Sequence, residues 1–218
     1  MSNNELASEL QRGLDGLKLS LSDTQQDLLL QYLALLLKWN KAFNLSGVKT
    51  PSEMLTRHIL DSLSVVPFIT GQCVLDVGTG PGLPGIPLAI CYPDKQFVLL
   101  DSNGKKTRFI FQALVQLGLK NVDVENTRIE ALQSEKPIDT IVSRAFSSIV
   151  DFLSLTQHIV KKSSKPVNIV AMKGLYPEAE LAQLPNDYVL KASTSVKVPG
   201  HEAARHIIEI TTKDRSST

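Results

Sequence analysis

A chain of 218 residues, 43% hydrophobic and 21% charged, is long enough to bury a full core, and its ordinary composition excludes a disordered or fibrous protein. Twenty-three Lys and Arg against 22 Asp and Glu leave a formal net charge of +1, so any site for a polyanion must be a local patch. The start, MSNNELASEL, has neither a basic nor an apolar leader pattern, and the longest apolar stretch, 28–37, is broken by Gln31 and too short for a bilayer; a cytoplasmic protein without membrane attachment is expected.

Residues 1–70 read as a segment of two or three helices. Ser22 followed by Gln25 makes a capping box, after which Leu29, Tyr32, Leu33, Leu36 and Phe43 recur at helical spacing. A further helix is announced by Thr50, Pro51 and Glu53 and is stopped by Pro67. From residue 71 the period changes. Strands are expected at 73–77, 96–101, 121–125, 138–142 and 167–172, alternating with helices near 84–92, 104–118, 148–161 and 177–183, the pattern of a doubly wound parallel sheet. The end of the chain departs from it: 187–198 and 204–212 read as two strands joined at Pro199 and Gly200 without a helix, an antiparallel hairpin at one sheet edge. The fold class expected is therefore α/β, with a helical extension (1–70) before a nucleoside-binding domain (71–218).

The stretch VLDVGTGPGLPGIP, 74–87, lies where the first strand turns into the first helix of the sheet, the place where open α/β sheets bind ligands. Two fingerprints are nested in it. Gly80, Gly82 and Gly85 spell G-x-G-x-x-G, which suits a dinucleotide, whereas Asp76, Gly78, Gly80 and Gly82 spell D-x-G-x-G-x-G, which suits S-adenosylmethionine. Asp101, about 20 residues on at the end of the second strand, is placed to hold a ribose. The extra glycine at 78, the preceding Asp76, the terminal hairpin and the long helical extension favour S-adenosylmethionine; an NAD-dependent oxidoreductase and a non-catalytic regulator that binds the nucleoside remain as alternatives.

The residues also narrow the atom methylated. An exocyclic amino group calls for a [DN]-P-P-[YF] element after the fourth strand, where this chain has Ser143, Arg144, Ala145 and Phe146. Methylation at pyrimidine C5 calls for a cysteine nucleophile. Cys73 and Cys91, the two cysteines, fall at the opposite ends of their elements and read as structural; they form neither a disulfide framework nor a metal set, and no metal site is expected. A ring nitrogen such as guanine N7, which loses no proton on attack, fits what is left, and no catalytic acid or base is assigned.

LDVGTGPGLPGIPLAI, LLDSNGKKTRF, IVSRAF and MKG, with KWNKAFNL and RHILDS in the helical segment, resemble the bacterial 16S ribosomal RNA guanine-N7 methyltransferase family, also called glucose-inhibited division protein B. The likeness runs from about residue 20 to 212 with the order of elements intact. It implies transfer of a methyl group from S-adenosylmethionine to N7 of the guanine at nucleotide 527 of 16S rRNA. It implies cofactor contacts at Gly78, Leu83, Ile129, Glu130 and Arg144, beside Gly80 of the loop and Asp101 as the ribose acid. Ile129-Glu130 is a mild departure from relatives, which a backbone contact to adenine tolerates. Arg144 is expected to help seat the cofactor and the guanine edge.

An RNA enzyme of near-zero net charge still needs phosphate contacts. Lys105, Lys106 and Arg108 open the helix after Asp101, and Lys38, Lys41 and Arg57 lie in the helical segment; Lys41, Arg57, Lys105, Lys106 and Arg108 are the RNA contacts expected. Lys161, Lys162 and Lys165 complement a helix dipole instead. Trp39 and Phe43 are expected in the core, and His58 as a satisfied helix histidine. The expected partner is 16S rRNA or the small ribosomal subunit, approached by a monomer.

Overall fold

The computed structural model describes residues 3–134, 136–144, 146 and 148–213, and these form a seven-stranded sheet covered by helices on both faces. In chain order the elements before the sheet are α1 (Asn3–Leu17), α2 (Asp23–Phe43), α3 (Pro51–Met54), a π-helical turn (Leu55–Leu60) and α4 (Asp61–Leu63). The sheet unit follows as β1 (Cys73–Val77), α5 (Gly85–Cys91), β2 (Gln96–Leu100), α6 (Gly104–Leu117), β3 (Val122–Glu125), β4 (Thr140–Arg144), α7 (Ile149–Lys162), β5 (Asn168–Lys173), α8 (Glu178–Leu181), β6 (Tyr188–Ser195) and β7 (His206–Thr212). The strand order is β3-β2-β1-β4-β5-β7-β6. β7 runs antiparallel between β5 and β6, and the remaining pairs are parallel.

Period-two alternation sorts the strand side chains between the faces. Val74, Phe97, Leu99, Val142 and Val170 join a core with α1, α2, α5, α6 and the π-helical turn. Leu75, Val77, Val98, Leu100, Ile141 and Ile169 point the other way, onto Phe152, Leu153 and Ile159 of α7. The N-terminal helices thus share one hydrophobic core with a face of the sheet. Each fully buried Leu or Phe side chain contributes about 1.5–3 kcal/mol, so Leu29, Leu33 and Leu36 alone hold α2 firmly against it.

The capping box of α2 is formed: the Gln25 amide N–H donates to Ser22 Oγ at 3.3 Å, and the Ser22 N–H to Gln25 Oε1 at 3.0 Å. Gln25 Nε2 also donates to the carbonyls of Ile90 and Cys91 at the end of α5. One end of α2 is thereby fixed at the amino edge of the sheet, and the helix runs toward the carboxyl edge.

Three boundaries differ from the sequence pattern. β4 is shifted two residues toward the C-terminus, with Arg144 as its last residue; Asp139 just before it bonds through its backbone to Cys73 and Asn168, and its carboxylate caps the start of β1 through the N–H groups of Gln72 and Cys73. The helix expected at 177–183 is one turn, Glu178–Leu181. The link between β6 and β7 is residues 196–205, longer than a Pro-Gly turn, and its Gly200 lies so close to the π-helical turn that a Cβ there would be 3.3 Å from Thr56 Oγ1.

Candidate active site

The chain leaves β1, builds outward through β2 to β3, and returns to β4 on the other side of β1. The loops after β1 and β4 therefore part at the carboxyl edge, which opens a crevice there. Residues 78–86 occupy it, and their four glycines divide into two kinds. A Cβ on Gly85 would lie 2.0 Å from Leu99 Cδ2 and 2.8 Å from Asp76 Oδ2, and one on Gly82 would lie 2.5 Å from Ile86 Cδ1; the chain packs too closely at both for anything larger, and Gly82 also has a φ of +97°. Gly78 and Gly80 have φ of +70° and +62°, and nothing lies within 4 Å of where their Cβ atoms would be. Both Cα atoms face open space at the strand ends, Gly78 itself exposed and Gly80 buried.

The hydrogen bonds of this loop decide between the two fingerprints. Gly78 and Thr79 N–H donate to the carbonyl of Leu100, Gly80 N–H to Asp101 Oδ2 at 2.8 Å, and Gly82 and Leu83 N–H to the carbonyl of Thr79. Gly85 N–H donates to Asp76 Oδ2 at 2.8 Å and Ile86 N–H to the carbonyl of Gly82, while residues 81, 84 and 87 are prolines with no N–H. Every donor that a pyrophosphate needs at a helix N-terminus is engaged or missing. The carbonyls of Gly78 and Gly80, in contrast, accept no hydrogen bond among the described residues. Free acceptors beside an open surface suit a cationic ligand such as a sulfonium or an ammonium.

Asp76 holds the loop from below. It is fully buried, its Oδ2 also accepts from Thr79 Oγ1 at 2.6 Å, and burial pushes its carboxyl up to about 6. Tyr32 holds it from the side: its buried hydroxyl donates to the carbonyl of Pro81 at 2.8 Å, and burial raises the phenol well above its usual range. Ser143 Oγ donates to the carbonyl of Val77, tying the ends of β4 and β1 together.

The residues expected at the cofactor lie in a row along this edge. Asp101 directly follows β2, its Oδ1 accepting from Asn103 N–H and its Oδ2 from Gly80 N–H, with Lys106 Nζ 3.6 Å away. Ile129 and Glu130 lie in a 3-10 turn (Ile129–Ala131) beyond β3, with Ile129 buried and Glu130 exposed. Arg144 ends β4. From β3 to β4 is three strand spacings, about 14 Å, an extent suited to an elongated nucleoside-amino acid conjugate. Leu83 behaves differently: its side chain is buried in the core of the α5 face, so only its backbone is available to a ligand.

The chain matches the family model described as rRNA small subunit methyltransferase G over residues 25–208. It belongs to that family. The chain is 52% identical over 204 residues to ribosomal RNA small subunit methyltransferase G of Stutzerimonas stutzeri and 50% identical over 203 residues to that of Pseudomonas aeruginosa, in each case covering 93% of this chain and 94% of the relative. Enzymes of this family are S-adenosylmethionine-dependent methyltransferases. Among solved structures the fold is similar to that of a SAM-dependent methyltransferase from Aquifex aeolicus (TM-score 0.55, 19% identity, 72% of this chain and 92% of that one). It is also similar to that of TrmK from M. capricolum, solved with S-adenosyl-homocysteine (TM-score 0.53, 16% identity, 70% and 67%).

The basic residues expected to meet RNA do not form one patch. Lys105 and Arg108 are exposed on the first turns of α6, on the β2 side of the loop, and Lys106 is turned toward Asp101. Lys41 is exposed in the last turn of α2, two residues past Trp39, whose ring meets Phe109 of α6 at 5.6 Å. Arg57 stands apart, exposed on the π-helical turn beside β4. Phe43, expected in the core, is 49% exposed, with its ring 5.1 Å from that of Trp39. His58 is buried, donates from Nδ1 to the carbonyl of Arg57 and accepts from Ser46 Oγ, and burial with the Arg144 charge lowers it to about 4; it is a satisfied structural histidine. Cys73 and Cys91 both sit toward the amino edge with thiols pushed up by burial, that of Cys91 to about 12.

Two groups in this region escape the sequence pattern. Asp61, only 2% exposed, pairs with Arg144 (Nη1 to Oδ2, 3.3 Å) and with Arg205 (Nε to Oδ1, 2.6 Å). An acid on the apolar side of RHILDS is the one sequence sign of it; nothing local marks Arg205, which lies 144 residues away.

Proposed function

We propose that this enzyme methylates N7 of a guanine in 16S rRNA, the one at nucleotide 527, in the cytoplasm, with the small ribosomal subunit or its RNA as substrate. Family membership supports the RNA, and the state of the acids at the crevice supports the atom. Asp61 is paired with two arginines, Asp76 is buried beneath the loop, and both oxygens of Asp101 accept backbone N–H groups. The thiols lie at the other edge of the sheet. Neither a free carboxylate nor a thiolate is presented where β1 and β4 part, among the described residues. Guanine N7 needs neither, because its lone pair lies in the ring plane and no proton leaves on attack.

S-adenosylmethionine supplies an activated methyl group on a sulfonium. The chain's part is to hold and orient. Gly78 and Gly80 offer bare backbone and carbonyl acceptors, and the Leu83 backbone borders them. Asp101 keeps lone pairs for ribose hydroxyls, and Ile129 and Glu130 border the far end. Arg144, whose Nε and Nη2 make no hydrogen bond among the described residues, is oriented toward cofactor and guanine edge by Asp61 and the carbonyl of Arg57. Lys41, Lys105, Lys106 and Arg108 flank one side for RNA, and Arg57 the other. With no proton to move, the rate gain comes from alignment and a matched electrostatic setting.

The test is to incubate small subunits lacking the modification with trideuteromethyl S-adenosylmethionine and digest one portion of the RNA to nucleosides and another to oligonucleotides with a base-specific ribonuclease. Labelled 7-methylguanosine, mapped to nucleotide 527, is expected. Label on an exocyclic nitrogen or on C5 of a pyrimidine overturns the reading.

A further inference from the structure

Besides the cations on α6, positive charge gathers at a second place, around Asp61. Arg144 and Arg205 share that single buried carboxylate. Arg57, whose carbonyl accepts from Arg144 Nη1 at 3.1 Å, places a third, exposed guanidinium beside them. Three guanidiniums against one carboxylate leave an excess of two positive charges. His58 and His201 stand in the same cluster, and burial together with the arginines holds both below the ordinary histidine range, so at neutral pH neither adds charge. Glu202, on the same connecting loop, is exposed and forms no ion pair among the described residues.

Next to these cations is an apolar feature that packing does not explain. After β5, at the carboxyl edge and one strand beyond Arg144, Leu175 is 80% and Tyr176 48% exposed, and neither belongs to a hydrophobic core. Their position is fixed: the His206 ring meets the carbonyl of Gly174 through Nδ1 at 3.3 Å and the Tyr176 ring edge-on at 6.0 Å. A Cβ on Gly174 would be 3.9 Å from Arg205 Nη1, so the loop and the arginine are neighbours. Cations beside an exposed aromatic ring are the two elements by which single-stranded nucleic acid is held, the first for phosphates and the second for the face of a base.

We propose that the strip from Arg57 past Arg144 and Arg205 to Tyr176 seats the RNA strand, with the Arg57 and Arg205 guanidiniums on backbone phosphates, Arg144 kept for the cofactor and the guanine edge, and Tyr176 stacked on a base neighbouring the target. Asp61 acts through the arginines as a positioning residue: it brings the end of β4, the β6–β7 connection and the π-helical turn to one point. The strip rests on the RNA methyltransferase reading above, and it adds a contact side opposite α6.

Equilibrium binding of the full chain to purified 16S rRNA, measured by filter retention over a range of KCl concentrations, tests it. Arg57→Ala, a surface change whose side chain makes no hydrogen bond among the described residues, should weaken binding about tenfold and make the slope of log K against log salt shallower by about one. Tyr176→Ala should weaken binding between about fivefold and a hundredfold with the slope unchanged, and Tyr176→Phe should restore it. Both should keep wild-type affinity for S-adenosylmethionine and wild-type melting. Lys120→Ala, exposed at the opposite edge, should keep the wild-type slope. If wild type binds and methylates RNA but either Arg57→Ala or Tyr176→Ala binds as wild type does, the strip is wrong and the methyltransferase reading stands. A wild-type chain that neither binds nor methylates RNA overturns both.

Discussion

Gly85→Ala and Gly78→Ala should fail in opposite ways, although both add one methyl group to the same loop. At Gly85 the new Cβ would meet Leu99 Cδ2 at 2.0 Å, against the 3.5–4.0 Å at which carbon atoms rest, and Asp76 Oδ2 at 2.8 Å. Both neighbours are fully buried and neither can swing into solvent. Overpacking of this kind costs about 1–3 kcal/mol, and displacing Asp76 from its bonds to Gly85 N–H and Thr79 Oγ1 leaves buried polar groups unpaired for about 1–3 kcal/mol more. The sum is roughly 2–6 kcal/mol, a large part of the stability of an ordinary domain. At Gly78 the methyl meets nothing, and a left-handed alanine costs about 1–2 kcal/mol. That methyl, however, occupies the surface assigned to the cofactor. Urea unfolding should therefore single out Gly85→Ala, and calorimetric titration with S-adenosylmethionine should single out Gly78→Ala, with affinity lowered more than about tenfold in a folded protein. If the two variants are equally stable, or if Gly78→Ala binds the cofactor as wild type does, the division of the glycines is wrong.

Three other perturbations read out neighbouring parts of the site. Tyr32→Phe removes the donor to the buried carbonyl of Pro81 and should cost about 1–3 kcal/mol in urea unfolding, with weaker cofactor binding as the loop loosens; a variant as stable as wild type contradicts the brace. Asp76 has a folded-state pKa raised to about 6 from 3.8, so the native state binds the extra proton and this group's contribution falls as pH rises from about 4 to about 7, by up to about 3 kcal/mol. The stability of wild type relative to Asp76→Asn should fall over that interval, and a flat difference would refute the assignment. With both thiols raised by burial and distant from the crevice, Cys73→Ala and Cys91→Ala should each retain methyl transfer in a tritium assay; loss of chemistry in a folded variant would point to a covalent route.

The parts of this site that a sequence can disclose are those made by neighbours in the chain. The capping box at Ser22, the alternation of strands and helices, the glycine loop and Asp101 at the next strand end all depend on neighbours close in the chain, and each lies where the pattern puts it apart from the boundaries at β4, α8 and the β6–β7 link. Local pattern does not separate glycines required for packing from glycines facing a ligand: Gly78 and Gly85 look alike until Leu99 is placed against one of them. It is equally blind to Asp61 and Arg205, because their pairing depends on the β6–β7 connection returning to the N-terminal helices. Tyr32 reads as one more member of an apolar stripe, and only the arrival of Pro81 shows what its hydroxyl does. The π-helical turn at Leu55–Leu60 carries no sequence sign beyond an ordinary helical run.

The central claim, that bare backbone at Gly78 and Gly80 seats a sulfonium nucleoside for transfer to RNA, is tested most directly by a crystal structure grown with S-adenosylmethionine and NAD together. The account predicts S-adenosylmethionine along the carboxyl edge, ribose hydroxyls on Asp101, adenine beside Ile129, and the methyl group facing the end of β4 at Arg144. A nicotinamide dinucleotide in that crevice, or the sulfonium compound bound anywhere else, would contradict it.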